Sequence, residues 1–201
     1  QKCYRHVTNH YTRLGYYLLS DAATPGPLLM EERKPTASQA APALTSTYDA
    51  LVLHERDIFS PKQSGRMLFG EPLMGGHPKR ILVNLGHGEQ AGNTLKVNYA
   101  YMARPTTQGF FTLSLDGKEL VKDPISLSED HTSRDFLAGI YHFRSNVTAT
   151  TSSSNLALDA SYRPAGENAY VDFLEFIIEQ RLHYTTGQQT DFRRMQEGSD
   201  A

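Results

Sequence analysis

The residues best placed to do chemistry lie between Tyr48 and Glu71, in YDALVLHERDIFSPKQSGRMLFGE. His54, Glu55 and Asp57 follow a short apolar run, and Gly65, Arg66 and Glu71 close the stretch. Such a cluster fits a metal site, an acid–base pair or an electrostatic brace. A metal could draw on these residues, on His87 and Glu89 of GHGE, or on Glu129, Asp130 and His131. Successive strand residues point to opposite faces, so His54 and Glu55 cannot share one ion without a bulge. The sequence has no HExxH, no paired Cys/His spacing and no EF-hand loop. Acidic loops such as SED at 128–130 can hold calcium, but ordinarily they are only solvated. The expectation is therefore no metal and no cofactor.

Covalent catalysis fares no better. A nucleophilic Ser or Cys needs a base and a group that orients it. No GxSxG elbow occurs, and Cys3 sits close to the first residue with no local signature. Glu55, Asp57 and Glu71 could supply a glycosidase carboxylate pair, but residue type says nothing about the separation that such chemistry requires. NLGHGEQAGN lacks the order GxxxxGK[ST] and leads into a strand, so it is no phosphate loop. No catalytic residue is assigned.

The brace reading remains. ALVL reads as a buried strand, HERD carries the chain to a sheet edge, and SPKQ turns, with Pro61 stopping further pairing. Gly65 permits a bulge or close approach. Arg66 is then the expected pin, with Glu55, Asp57 or Glu71 as partner. An arginine–carboxylate pair fixes strand orientation more than it adds stability, because desolvating two ions offsets their attraction.

The elements that must position this stretch are strands. Leu95, Val97, Tyr99 and Tyr101 share one face, as do Phe111, Leu113 and Leu115, and Leu156, Leu158, Ala160 and Tyr162. Asp116-Gly117 predicts a hairpin turn. AYVDFLEFIIEQRLHY suits a strand or a helix; its β-branched and aromatic content and the lack of a cap favour a strand. As a strand it puts Tyr170, Leu174, Phe176, Ile178 and Leu182 on one face, with Asp172 and Gln180 as polar entries. Weaker strands are expected at 51–55, 67–69, 80–85 and 136–143. EPLMGGHPK, KDPISLSEDHTSRD and TATTSSSN read as loops. Eight to ten short strands predict an all-β, antiparallel, jelly-roll-like sandwich.

The expected organisation is an N-terminal strand segment and Pro/Ala/Ser-rich linker over 1–47, the sandwich over 48–186 and a polar exit over 187–201. The 201 residues suffice for a core without staples, and one cysteine excludes an internal disulfide framework. A net charge of -2 with no basic block argues against nucleic acid. No apolar run reaches 18 residues, and the polar start QKCYRHVTNH shows no signal peptide. The ends suggest a slice of something longer. Eleven Tyr and nine Phe would suit a carbohydrate-binding module, but there is no Trp and most aromatics sit at core-like alternate positions.

The succession Tyr48, Asp49, His54, Glu55, Asp57, then Ser64, Gly65, Arg66, Phe69, Gly70, Glu71, resembles the non-catalytic β region of the PorU family. These are gingipain-related cysteine peptidases of the Bacteroidetes type IX secretion system. Met67-Leu68 stands where the family has a bulkier aromatic. NHYTRLGYYLLS, LKVNYAYMARPTTQGFFTLSLDGKEL, NLALDASYRPAGENAYVDFLEFIIEQRL and TGQQTDFRRM are similar to further family segments in the same order. The resemblance implies a strand at 169–184. It also implies a parent surface peptidase that removes the C-terminal secretion signal of exported cargo and helps attach cargo to an anionic lipopolysaccharide. Its catalytic Cys and His would lie in a caspase-like domain that no segment here matches. By the same resemblance, the chain's partners would be other domains of one polypeptide and outer-membrane secretion components, at the cell surface. The rival reading is a carbohydrate-binding module of a secreted bacterial protein.

Overall fold

The computed structural model describes residues 45–60, 68–74, 76–103, 105, 107–125, 140–163, 169–184, 186–187 and 191–193. Among these lie β1 (Thr47–Glu55), β2 (Pro72–Leu73), β3 (Lys79–Asn84), β4 (Gln90–Ala103), β5 (Gly109–Leu115), β6 (Lys118–Ile125), β7 (Ile140–Thr150), β8 (Asn155–Arg163) and β9 (Ala169–Arg181). Every pairing is antiparallel. One sheet runs β1-β9-β4-β7, with the short β2 also on β9, and the other runs β3-β8-β5-β6.

The pairs β5–β6, β4–β7, β3–β8 and β1–β9 nest in sequence as one long hairpin would, and successive pairs alternate between the two sheets. That is the winding of a jelly roll, as the alternation predicted. The turn at the centre of this nest is Asp116-Gly117, with φ of 49° and 81°. Both central residues of a tight hairpin turn need positive φ, which glycine accepts without cost.

The predicted alternation holds where it was clearest. Leu95, Val97, Tyr99, Tyr101, Phe111, Leu113, Leu158 and Ala160 are fully buried between the sheets. Rings stack through this layer: Phe111 lies 4.1 Å from Tyr101, and Tyr101 lies 4.8 Å from His142 on β7.

Departures from the sequence reading have physical causes. In β9 the β4 partner jumps from Phe173 to Val171, leaving Asp172 as an extra residue. A bulge exchanges the faces of what precedes it. The core face is therefore Ala169, Val171, Leu174, Phe176 and Ile178, whereas Tyr170 packs outward on Phe69 and Met102. Leu182 lies beyond the strand and is exposed.

In β7 the register shifts opposite Asn98, and Asn146 takes φ 57° while donating its N–H to Asn98 Oδ1 at 2.8 Å. That interruption hides a strand which runs to Thr150, into residues expected to be loop. Residues 136–139 of the predicted strand lie outside the described residues. β6 likewise continues through Pro124 to Ile125. It is an edge strand, so a residue without an N–H costs no ladder bond there. EPLMGGHPK contains β2, and Phe69 forms an isolated antiparallel bridge with Phe59.

Candidate functional site

The charged stretch converges on Glu71. Its side chain is 6% exposed, and its Oε1 lies 3.2 Å from Arg56 Nη1 and 3.4 Å from His54 Nε2. Lys79 Nζ, from β3 of the opposite sheet, stands 3.9 Å from Oε2. The backbone presents this carboxylate. Gly70 N–H donates to Val171 O at 2.9 Å and Val171 N–H to Glu71 O at 3.1 Å, continuing the sheet past β1. A Cβ at Gly70 would lie 2.6 Å from Arg56 O, so only glycine lets the two segments approach this closely. Arg56 and Lys79 are about half exposed, so each pair contributes modestly. Together they link the end of β1 to Glu71 and to β3 of the opposite sheet.

The brace residues expected from sequence divide in two. His54 pairs across from Leu174 on the inner face and reaches Glu71. Glu55, one residue on, stands opposite Phe173 on the outer face, near the Tyr141 phenol, whose pKa is raised by burial and by its hydrogen bond to Asp172, with Glu55 adding to them. Glu55 and Glu71 are thus not a facing carboxylate pair. Asp57 follows β1 in the segment leading to the Phe59–Phe69 bridge. Gly65 and Arg66, the expected pin, lie outside the described residues. The cations found at Glu71 are Arg56 and Lys79, which sequence reasoning did not single out. Lys79 stands two residues before Ile81 and four before Val83, on the same register of β3 but at the solvent-exposed start of the strand.

A second feature is a groove of about 480 Å³ between the start of β1, the end of β9 and the loop from β3 to β4. At its base Tyr48 Oη donates to Gln180 Oε1 at 2.7 Å, and Gln180 Nε2 donates to Leu85 O at 3.2 Å. Gly88 leaves room for the Gln180 amide, which any side chain there would strike. His87, His183 and Arg193 line the rim. Periodicity entered Gln180 as a polar residue on a strand face, and only the fold shows that it anchors this loop.

The third polar cluster is part-buried, between the edge strands β6 and β7. Tyr99 Oη donates to Asp123 Oδ2 at 2.7 Å, and Arg144 Nε donates to Asp123 Oδ1 at 3.4 Å. Burial and the neighbouring carboxylate hold the Tyr99 phenol well above its ordinary pKa. Burial, aided by Arg144, lowers that of His142, whose Nε2 is buried without a hydrogen-bond partner. Among the described residues no three His, Cys, Asp or Glu side chains gather as a metal site.

Comparison with known structures turns on one match. The crystal structure of dimeric latent PorU from Porphyromonas gingivalis superposes with a TM-score of 0.68, at 29% identity over 88% of this chain. The chain resembles a part of PorU. It corresponds to only 16% of that PorU chain. Two other structures match less well. The Bacillus thuringiensis insecticidal delta-endotoxin Cry8Ea1 gives a TM-score of 0.37, at 16% identity over 54% of this chain and 20% of its own. A CBM36-1 domain of a multidomain xylanase from the hindgut metagenome of Trinervitermes trinervoides gives 0.38, at 12% identity over 64% of this chain and 95% of its own. No family model and no curated protein matches. Among the described residues no helix is long and apolar enough to cross a membrane.

Proposed function

We propose that this chain is an accessory, non-catalytic jelly roll of a larger gingipain-related cysteine peptidase that processes type IX secretion cargo at the outer-membrane surface. The observation that carries this reading is the PorU match, which spans most of this chain and a small part of the other. Two features of the polar clusters agree with it. Glu71 is engaged by Arg56, Lys79 and the His54 ring, and Glu55 faces away from it, an arrangement suited to holding strands rather than to moving protons. The parent's nucleophile and base belong, on this reading, to another part of the polypeptide, and the partners of this chain are the other domains and outer-membrane secretion components.

Incubating the purified chain with a cargo protein that retains its C-terminal signal tests the assignment. No cleavage is expected from the chain alone, while the parent polypeptide cleaves and loses that ability when residues 45–193 are deleted. Cleavage by the chain alone would overturn it. A carbohydrate-binding module is the second reading, favoured by the groove beside Tyr48. It predicts glycan-array binding that Tyr48→Ala removes.

A further inference from the structure

The two sheets present unlike outer faces. Outward positions of the four-stranded sheet are mostly polar, with Arg80, Asn84, Thr112, Ser114, Asp159 and Ser161, and they also include Leu82 and Phe110. In the five-stranded sheet the outward positions include Leu51 and Leu53 on β1, Phe173 and Ile177 on β9, Ala100 and Met102 on β4, and Phe143 and Tyr141 on β7, with the hydrogen-bonded pair Glu175 and Asn98 among them and Glu55, Lys96 and Glu179 toward the ends. Strand β9 is buried on both faces from Ala169 to Ile178, Glu175 included. Leu53, Tyr141 and Phe143 are 45%, 45% and 43% exposed. Between them, Ala100, Phe173 and Ile177 are buried.

We propose that this outer face is the surface on which the remainder of the same polypeptide docks, a deepening that rests on the accessory-domain reading. Three observations select a tethered partner. The chain amounts to 16% of the PorU chain it resembles, so that reading leaves most of the polypeptide outside it. The exit segment runs along the same edge: Arg193 O accepts the N–H of Asp49 at 2.8 Å, and Phe192 meets the Tyr48 ring edge-on at 5.0 Å. Finally, the band is narrow. Freely associating partners bury about 1,200–2,000 Å², whereas a covalently linked domain binds at high effective concentration and needs far less. A few half-exposed residues on β1 and β7 suit the second case.

Hydroxyl-radical footprinting of the natural full-length polypeptide is the test, with rates normalised to each residue's intrinsic reactivity. Leu53, Tyr141 and Phe143 are expected to react several-fold more slowly than Leu82 and Met74, which are 72% and 61% exposed on other surfaces. Phe143→Glu in the same polypeptide should raise the labelling of Tyr141 and Leu53 toward that of the controls. Labelling of the unsubstituted residues at control rates would refute the docking surface while leaving the accessory-domain reading standing. Protection that disappears on dilution would instead identify a second copy as the occupant and overturn the proposal. If the natural polypeptide proves no longer than this chain, the accessory-domain reading itself fails.

Discussion

Replacing Glu71 by alanine removes the acceptor that His54, Arg56 and Lys79 share, at a side chain almost wholly withdrawn from water. The cations are partly solvated, so the expected loss is about 1–2 kcal/mol, less than for a fully buried pair. It should appear as a lower urea midpoint with an unchanged slope. Gly70→Ala drives a methyl into the Arg56 carbonyl, a backbone atom that cannot rotate away, and should cost roughly 1–3 kcal/mol. His142 should contribute to the response to acid. Its ring lies on Tyr101, close to Arg144, Asp123 and Tyr99, and burial with the Arg144 charge lowers its pKa below the ordinary 6.5. The folded chain then binds fewer protons than the unfolded one. Stability should be complete above about pH 6.5, fall as pH drops through that value, and level off below the folded-state pKa. His142→Phe should flatten that part of a stability–pH curve, and an unchanged slope would remove His142 from the explanation.

Asn98 is the small part on which two strands depend. It donates to Glu175 Oε2 at 2.6 Å and accepts the Asn146 N–H at 2.8 Å, so it joins a buried carboxylate on β9 to the bulge in β7. Asn98→Ala deprives both groups at once and should cost about 2–3 kcal/mol, with faster amide exchange localised to β7. Amide exchange altered equally in β3 and β8 would contradict that local role. The same bulges mark the boundary of what was legible in the sequence. Strands β4, β5 and β8 could be read because every second residue from Leu95 to Tyr101, from Phe111 to Leu115 and from Leu156 to Tyr162 is apolar. Strands β7 and β9 could not be read in full. Asn146 and Asp172 each insert one residue, and period-two reading assumes that none is inserted. The site was partly visible for a related reason. Alternation put His54 and Glu55 on opposite faces, as found, but Glu71 meets Lys79 through a contact between sheets that no local pattern encodes.

For the whole molecule, the half-exposed Leu53, Tyr141 and Phe143 on the outer face of the five-stranded sheet carry the proposed docking surface. The Glu71 cluster and the Gln180 groove lie at opposite ends of β1, the first at its far end and the second at its start. A polypeptide of this kind should give no peptidase activity from the 201-residue chain. The most direct measurement is the intact mass of the natural gene product, isolated with an antibody raised against this chain. A single polypeptide several times heavier than the 22.5 kDa of these residues, with this sequence as one part of it, is the expected result. A product of 22.5 kDa would contradict the assignment of this jelly roll as an accessory domain.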